Sequence, residues 1–190
     1  MSIAIDPEKN PWTVLSTRLC YENPWISIAE SQVLHPGGQP GIYGTVHYKK
    51  IAVGVLPLDE MGNTWLVGQY RFTLNRYSWE IPEGGGEPGE QPVQAARREL
   101  QEETGLSAAH FTPLLQNLHL SNSVTDEVGF SFLARGLSVG ASAPEACEQL
   151  QVRKLPFLDV CAMVERGEIT DLLSVATIFK VRLMQWQGQL

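Results

Sequence analysis

Residues 84–106, GGGEPGEQPVQAARRELQEETGL, limit this chain more than any other stretch, because a glycine turn leads there into a segment carrying Glu99, Glu102 and Glu103. If residues 91–104 are helical, Glu99 lies three residues before Glu102 and four before Glu103. All three carboxylates then share one helical face within side-chain reach. Like charges at that spacing lower helix stability, and only Arg97 and Arg98 stand near enough in sequence to help. A hard divalent cation with oxygen ligands offsets the repulsion, and Mg²⁺ is usually held by one or two carboxylates plus substrate phosphates. Val93, Ala96 and Leu100 supply a buried stripe for the same helix, and Gly105 suits the left-handed position that ends one. The rival reading is a solvated acidic helix behind a glycine loop.

Charge supports the metal reading. The net charge is −7 with no Lys/Arg run, which argues against a nucleic-acid partner. An acidic protein accommodates an anionic substrate when metal ions bridge its carboxylates to substrate phosphates. The glycines 84–86 precede no Gly-Lys-Ser/Thr, so they are not a P-loop; they let backbone approach a metal and a diphosphate closely. Three cysteines, Cys20, Cys147 and Cys161, fall at no ligand spacing and are expected as reduced, partly buried thiols. His35, His47, His110 and His119 form no ligand pair and are expected to be structural or exposed. No apolar run approaches the ~20 residues of a membrane span, and the N-terminus lacks a signal pattern, so no membrane partner and a cytoplasmic location are expected.

Taken in order, residues 1–11 read as a loose arm, and residues 12–20, 25–34 and 42–49 as three antiparallel strands. So thin a sheet must pack on something else. The apolar run 51–58 reads as a buried strand, paired with 64–70 as a core hairpin. Arg71 closes the second of these strands, and Glu80, Glu83 and Glu87 add acid around the glycine loop. Residues 111–120 and 128–134 read as strands, 136–146 as a small-residue loop, and 148–155 as a further strand. A helix follows over 156–165, then one over 172–186 capped near Asp171 with a core stripe of Leu173, Ala176, Phe179 and Leu183. Trp12, Trp25, Tyr43 and Tyr77 are available to stack on a base, with packing as the alternative.

The acidic stretch also resembles a known motif. From Gly84, five residues lead to Glu90 and seven more to Arg98; Glu99, Leu100, Gln101, Glu102, Glu103, Thr104, Gly105 and Leu106 follow. This resembles the complete Nudix box, a match expected by chance on the order of once in a million chains. Gly68-Gln69-Tyr70-Arg71 and Trp79-Glu80-Ile81-Pro82 are similar to the branch of that family that holds ADP-ribose and nucleoside-diphosphate-sugar pyrophosphatases.

The resemblance implies an α/β Nudix fold, a mixed β-sheet sandwiched between helices, with an added N-terminal antiparallel sheet. It implies a division into residues 1–49, a dimerisation element, and 50–190, the hydrolase domain, with a homodimer as the assembly. The implied reaction is Mg²⁺-dependent hydrolysis, Mn²⁺ being a possible substitute, of a small nucleotide substrate: a nucleoside diphosphate linked to another moiety. Glu99 and Glu103 are the expected metal ligands, Glu102 shares a second ion, and the backbone at Glu83 completes the site, although relatives more often carry a small residue there. Glu127 is expected as general base or further ligand, with a box glutamate as the alternative base. Arg71 and Glu80 are expected at the substrate, and Gly84, Glu90 and Arg98 behind the ligands. Where the branch tends to have a proline ahead of the acidic pair, this chain has Ser121 and Ser123. A GDP-sugar, a dinucleoside polyphosphate or a damaged nucleoside triphosphate therefore stays open as substrate, as does a non-catalytic nucleotide sensor.

Overall fold

The computed structural model describes residues 9–140 and 149–190. Cys147, the first eight residues of the expected arm and residue 148 of an expected strand lie outside them. The described residues fall into two compact units: those up to Lys49 together with Ser121–Asp126, and the remainder, Lys50–Leu120 with those from Glu127 on.

The first unit is a sheet of β1 (Thr13–Glu22), β2 (Ile26–Leu34) and β3 (Pro40–Tyr48), paired antiparallel in that order. Asn23 sets the first turn, its side-chain oxygen accepting the N–H groups of Trp25 at 2.8 Å and Ile26 at 2.7 Å. Along β3 lies the segment Ser121–Asp126. Val46 N–H donates to the Val124 carbonyl at 2.8 Å, and the Tyr43 hydroxyl donates to the Ser123 carbonyl at 2.8 Å. The Asp126 carboxylate pairs with His47 Nδ1 and accepts Tyr48 N–H at 3.2 Å. Burial pushes the Asp126 pKa up, but these bonds more than offset it and hold the carboxyl below its ordinary range. Every residue of β1 is exposed, including Val14, Leu15, Leu19 and Tyr21. Leu19 stands opposite Ala29 and Tyr21 opposite Ile28, successive residues of β2 that face opposite ways, so the strand is apolar on both sides.

The second unit holds the mixed sheet. Its order is β7 (Glu83–Gly85), β4 (Ala52–Pro57), β9 (Val128–Val139), β8 (Leu106–His119), with β4 and β9 parallel and the other pairs antiparallel. A separate antiparallel sheet has the order β10 (Gln151–Pro156), β5 (Asn63–Arg71), β6 (Arg76–Glu80). Strand β4 reads as a continuous apolar run because both its faces are covered. Val53 and Val55 join Ala95, Ala96 and Leu100 of α1 (Pro92–Thr104). Leu56 joins Phe157 and Val160 of α2 (Phe157–Glu165) and Ile178 and Val181 of α3 (Leu172–Trp186). Leu100 is fully buried, so truncating it to alanine costs roughly 2–5 kcal/mol. The mixed sheet between helices is the architecture expected from the sequence.

Several local expectations are corrected. Residues 51–58 and 64–70 are not a hairpin: β4 and β5 lie in different sheets and share only the bridge Leu58–Thr64. Strand β4 takes β7 and β9 as its edge partners instead, while helices cover its two faces. The segments over β6 and β7, with a short 3-10 helix Phe72–Leu74 before them, carry structure where no element was expected. Strand β9 runs on to Val139, four residues into the small-residue loop expected over 136–146, of which residues 141–146 lie outside the described ones. Helix α3 buries Leu173, Ser174, Thr177, Ile178 and Val181, while Phe179 and Leu183 are exposed. That helix is apolar around most of its circumference, so periodicity fits more than one stripe. Cys20 is exposed; Cys161 is buried, which raises its thiol pKa. Among the described residues no helix is long and apolar enough to cross a membrane.

The turn from β4 to β5 is tied by Asp59, which accepts Asn63 N–H at 2.8 Å and Met61 N–H at 3.0 Å and pairs with Lys154 at 2.8 Å. Burial acts to raise its pKa, but the bonds from Lys154 and Asn63 bring it down to about 2, from 3.8. The folded value is the lower one, so this carboxylate stabilises the fold above about pH 4 and that contribution is lost as pH falls toward 2. Urea unfolding of Asp59→Asn should show a flatter decline in stability across that window than the parent chain; an identical decline would mean that the turn does not use the charge.

Candidate active site

Helix α1 begins on a reciprocal cap between Gln91 and Gln94, with Pro92 in its first turn. It ends at Gly105, whose φ of 71° is the left-handed value that glycine adopts freely; its N–H donates to the Gln101 carbonyl. Between these caps Glu99 and Glu103 are buried, at 8% and 3% exposure. Buried carboxylates need partners. Some come from the neighbouring edge strand: β7 pairs with β4 and presents its backbone to α1, where Glu83 N–H donates to Glu103 Oε2 at 2.9 Å. The backbone at Gly84 runs so close to Glu99 that a β-carbon there would collide with the Glu99 carboxyl group. Only glycine permits that approach.

Arg98 supplies the positive charge. Its Nη1 donates to Glu99 Oε1 at 2.7 Å and Glu102 Oε2 at 2.9 Å; Nη2 donates to Glu90 at 3.1 Å and to the Gly85 carbonyl at 2.8 Å. Burial acts to lower its pKa, but Glu90, Glu99 and Glu102 together drive it upward. Glu90 is held below its ordinary range, first by the bond from Arg98 and then by the Glu87 N–H. Arg97, the other nearby cation, turns away; it donates to the Ala108 carbonyl and lies 4.4 Å above the Phe111 ring.

A second charged cluster adjoins the first. Arg71, at the end of β5, donates through Nε to Glu80 at 2.9 and 3.1 Å and through Nη2 to Glu80 and to Glu83 Oε1, the latter at 3.0 Å. Glu80 is 2% exposed, so this bidentate pair neutralises a buried charge. Burial acts to lower the Arg71 pKa, but Glu80 and Glu83 carry it upward. The Glu83 carboxyl is shifted well above its ordinary range, by burial first, then by Asp171 and Glu80, with Arg71 opposing. Glu127 is also shifted up, by burial and then by Asp171. Asp171 caps α3, accepting Ser174 N–H at 2.7 Å, and so faces the acidic cluster as well as its own helix.

Sequence pattern marks Asp171 only as a cap and gives Ser174 no role. Ser174 is fully buried, and its hydroxyl accepts Ile81 N–H at 3.0 Å. No local pattern marks it, because its partners lie about 90 residues away along the chain.

Does this arrangement fit a divalent ion? Among the described residues no three acidic, histidine or cysteine side chains converge tightly enough to hold one unaided. The donors present are all hard oxygens: two buried carboxylates beside a close-packed backbone, the set that suits an ion whose remaining ligands are water and substrate phosphates. Glu102, on the Arg98 side, is the most exposed of the three box acids.

A mixed sheet between helices, with a glycine-bordered strand laid against a carboxylate-bearing helix, is the architecture of the Nudix class. A model of the NUDIX domain matches residues 48–171, and a model of the nucleoside diphosphate sugar hydrolase N-terminal domain matches residues 12–46. The chain belongs to the Nudix family and is a Nudix hydrolase. Over 178 residues it is 31% identical to the ADP-ribose pyrophosphatase of Mycobacterium tuberculosis, covering 91% of this chain and 84% of that one. Over 136 residues it is 35% identical to the ADP-ribose pyrophosphatase of Bacillus subtilis, covering 70% and 71%. Among solved structures, that of an ADP compounds hydrolase has the same fold, with a TM-score of 0.83 at 22% identity, covering 94% of this chain and 97% of that one.

Gly84→Ala should push the Glu99 carboxylate off the β7 backbone, lowering stability by about 1–3 kcal/mol and weakening Mn²⁺ binding. Thermal unfolding and the paramagnetic signal of free Mn²⁺ read the two effects; unchanged values for both would show that the backbone yields without disturbing Glu99.

Proposed function

We propose that the chain hydrolyses the diphosphate bond of ADP-ribose or another nucleoside-diphosphate sugar, with Mg²⁺ (or Mn²⁺), to a nucleoside monophosphate and a sugar phosphate. The observation that carries this reading is the packing of the Glu83–Gly84 backbone on the buried carboxylates of Glu99 and Glu103. The two bacterial ADP-ribose pyrophosphatases support the choice of substrate, since their similarity extends over most of this chain or well over half of it.

Glu99, Glu103 and the Glu83 carbonyl would hold the metal, with Glu102 toward a second ion. When bound, the ion neutralises the diphosphate and acidifies a coordinated water. Glu127 accepts the proton of the attacking water; its raised pKa makes it a stronger base than an ordinary glutamate. Arg71 meets the substrate's anionic groups through Nη1, the nitrogen that makes no hydrogen bond among the described residues. Glu80 holds Arg71 in place, and Arg98, Glu90 and Gly84 keep the carboxylates in position. In the N-terminal sheet, Trp12 and Tyr43 meet edge to face at 5.3 Å and border a pocket of about 260 Å³ whose polar lining includes Asn10, Ser31 and Thr45. These two rings pack on each other within that sheet.

Residues 1–49 serve as the dimerisation element of a hydrolase domain spanning 50–190. The two-sided apolar exposure of β1 supports this, because a strand with Leu19 and Tyr21 on opposite faces gains from a second copy. Light scattering should report twice the chain mass of 21.1 kDa; a monomer at micromolar concentration would refute the dimer. Phosphate release after phosphatase coupling, across ADP-ribose, GDP-mannose, diadenosine polyphosphates and nucleoside triphosphates, tests the substrate. ADP-ribose should be turned over fastest, and Glu103→Gln should fold normally yet lose about two or more orders of magnitude in turnover. Preference for a triphosphate would overturn the substrate reading, and near-normal turnover by the variant would overturn the metal site.

A further inference from the structure

We infer that the side chain of Glu83 is a positioning residue for Arg71, supported from α3 by Ser174; this rests on the reading that Arg71 meets the substrate. The Glu83 peptide and side chain face different partners. Its N–H goes to Glu103 on α1, while its carboxylate goes to Arg71 through Oε1 and toward Ser174 through Oε2 at 3.5 Å. A small residue at this position would do the first job and not the second.

Glu80 grips Arg71 along the Nε–Nη2 edge. One carboxylate on one edge leaves a guanidinium free to tilt on its stem. The bond from Nη2 to Glu83 adds a second point of attachment at 3.0 Å, and a planar fork held at two points can no longer swing. Its Nη1 is then aimed in one direction. Glu83 in turn needs backing, because Glu80 and Asp171 lie near enough to repel it. Ser174 supplies this: fully buried, its hydroxyl accepts Ile81 N–H at 3.0 Å and has its proton to offer to Glu83. Three distant pieces of chain are joined this way: the end of β5, the start of β7 and the first turn of α3. The consequence is a link from α3 to substrate affinity that bypasses the metal ligands.

The test is steady-state kinetics of the full chain on ADP-ribose with Mg²⁺, for Glu83→Ala and Ser174→Ala, each alone and combined with Arg71→Ala. Mn²⁺ affinity is measured on the same proteins without substrate. Glu83→Ala should raise KM about tenfold with a smaller change in kcat, Glu83→Gln, which keeps an acceptor, should raise it less, and Mn²⁺ affinity should hold. In the Arg71→Ala background neither substitution should raise KM further, since the group they position is gone. Ser174→Ala also strips a partner from a buried N–H, so its melting temperature is read alongside; Glu83→Ala carries the decision if that variant unfolds. An unchanged KM in Glu83→Ala, or an equal further loss on top of Arg71→Ala, overturns the inference. A loss that follows weakened Mn²⁺ binding also overturns it and puts the side chain at the metal. If Arg71→Ala itself leaves KM unchanged, the reading of Arg71 at the substrate falls, and the inference with it.

Discussion

Burying two carboxylates four residues apart on one helix is the constraint to which the rest of the catalytic unit answers. Neither Glu99 nor Glu103 is exposed enough for water to carry its charge, and uncompensated burial of such groups costs several kcal/mol each. The compensation comes from three directions. A backbone N–H of β7 reaches Glu103, Arg98 reaches Glu99, and a glycine at 84 lets the strand come close enough for the arrangement to close. Arg98 is itself partly buried and is tolerable only because Glu90, Glu102 and the Gly85 carbonyl share it. Arg98 and the β7 backbone thus divide the two buried carboxylates between them.

The sheet is what brings these parts together. Strand β7 is only three residues long, and it holds its place as an edge because β4, its partner, is sealed on both faces by helices. Helix α3 packs on the same central strands, and its first turn reaches the segment leading into β7. Local hydrogen bonding in one corner is therefore set by core packing elsewhere, and a change in the core is felt at the carboxylates through the strand they share.

The N-terminal unit follows a different logic. It has almost no core of its own: Val33 is its single buried hydrophobic residue among those described. Its order comes from strand pairing, the Asn23 turn, and the segment Ser121–Asp126 fastened to β3 through Val46, Tyr43 and Asp126. That segment leads directly into Glu127, so the residue read as general base follows a stretch held by side chains more than 70 residues away in sequence.

Much was legible without coordinates, and the reason is that it is local. The helix over the box, its stop at Gly105 and the cap at Asp171 follow from propensity and turn chemistry within a few residues. So do the three N-terminal strands, and the spacing of the box acids identified the family. What failed was partner choice. An apolar run such as 52–57 announces burial without saying which strand lies beside it, and the expected hairpin with β5 dissolved into two sheets. A helix apolar on most sides, such as α3, does not say which stripe faces inward. Above all, Ser174 and Asp171 entered the acidic cluster only when the chain closed over some 90 residues. The sequence by itself determined which acids and which arginines were available, because their spacing is a property of one helix and two strand ends. Only the tertiary structure decided which arginine neutralises which acid: Arg98 serves the box, Arg71 serves Glu80 and Glu83, and Arg97 serves neither. Charge pairing acts over a few ångströms of space, and distance along the chain does not specify distance in space.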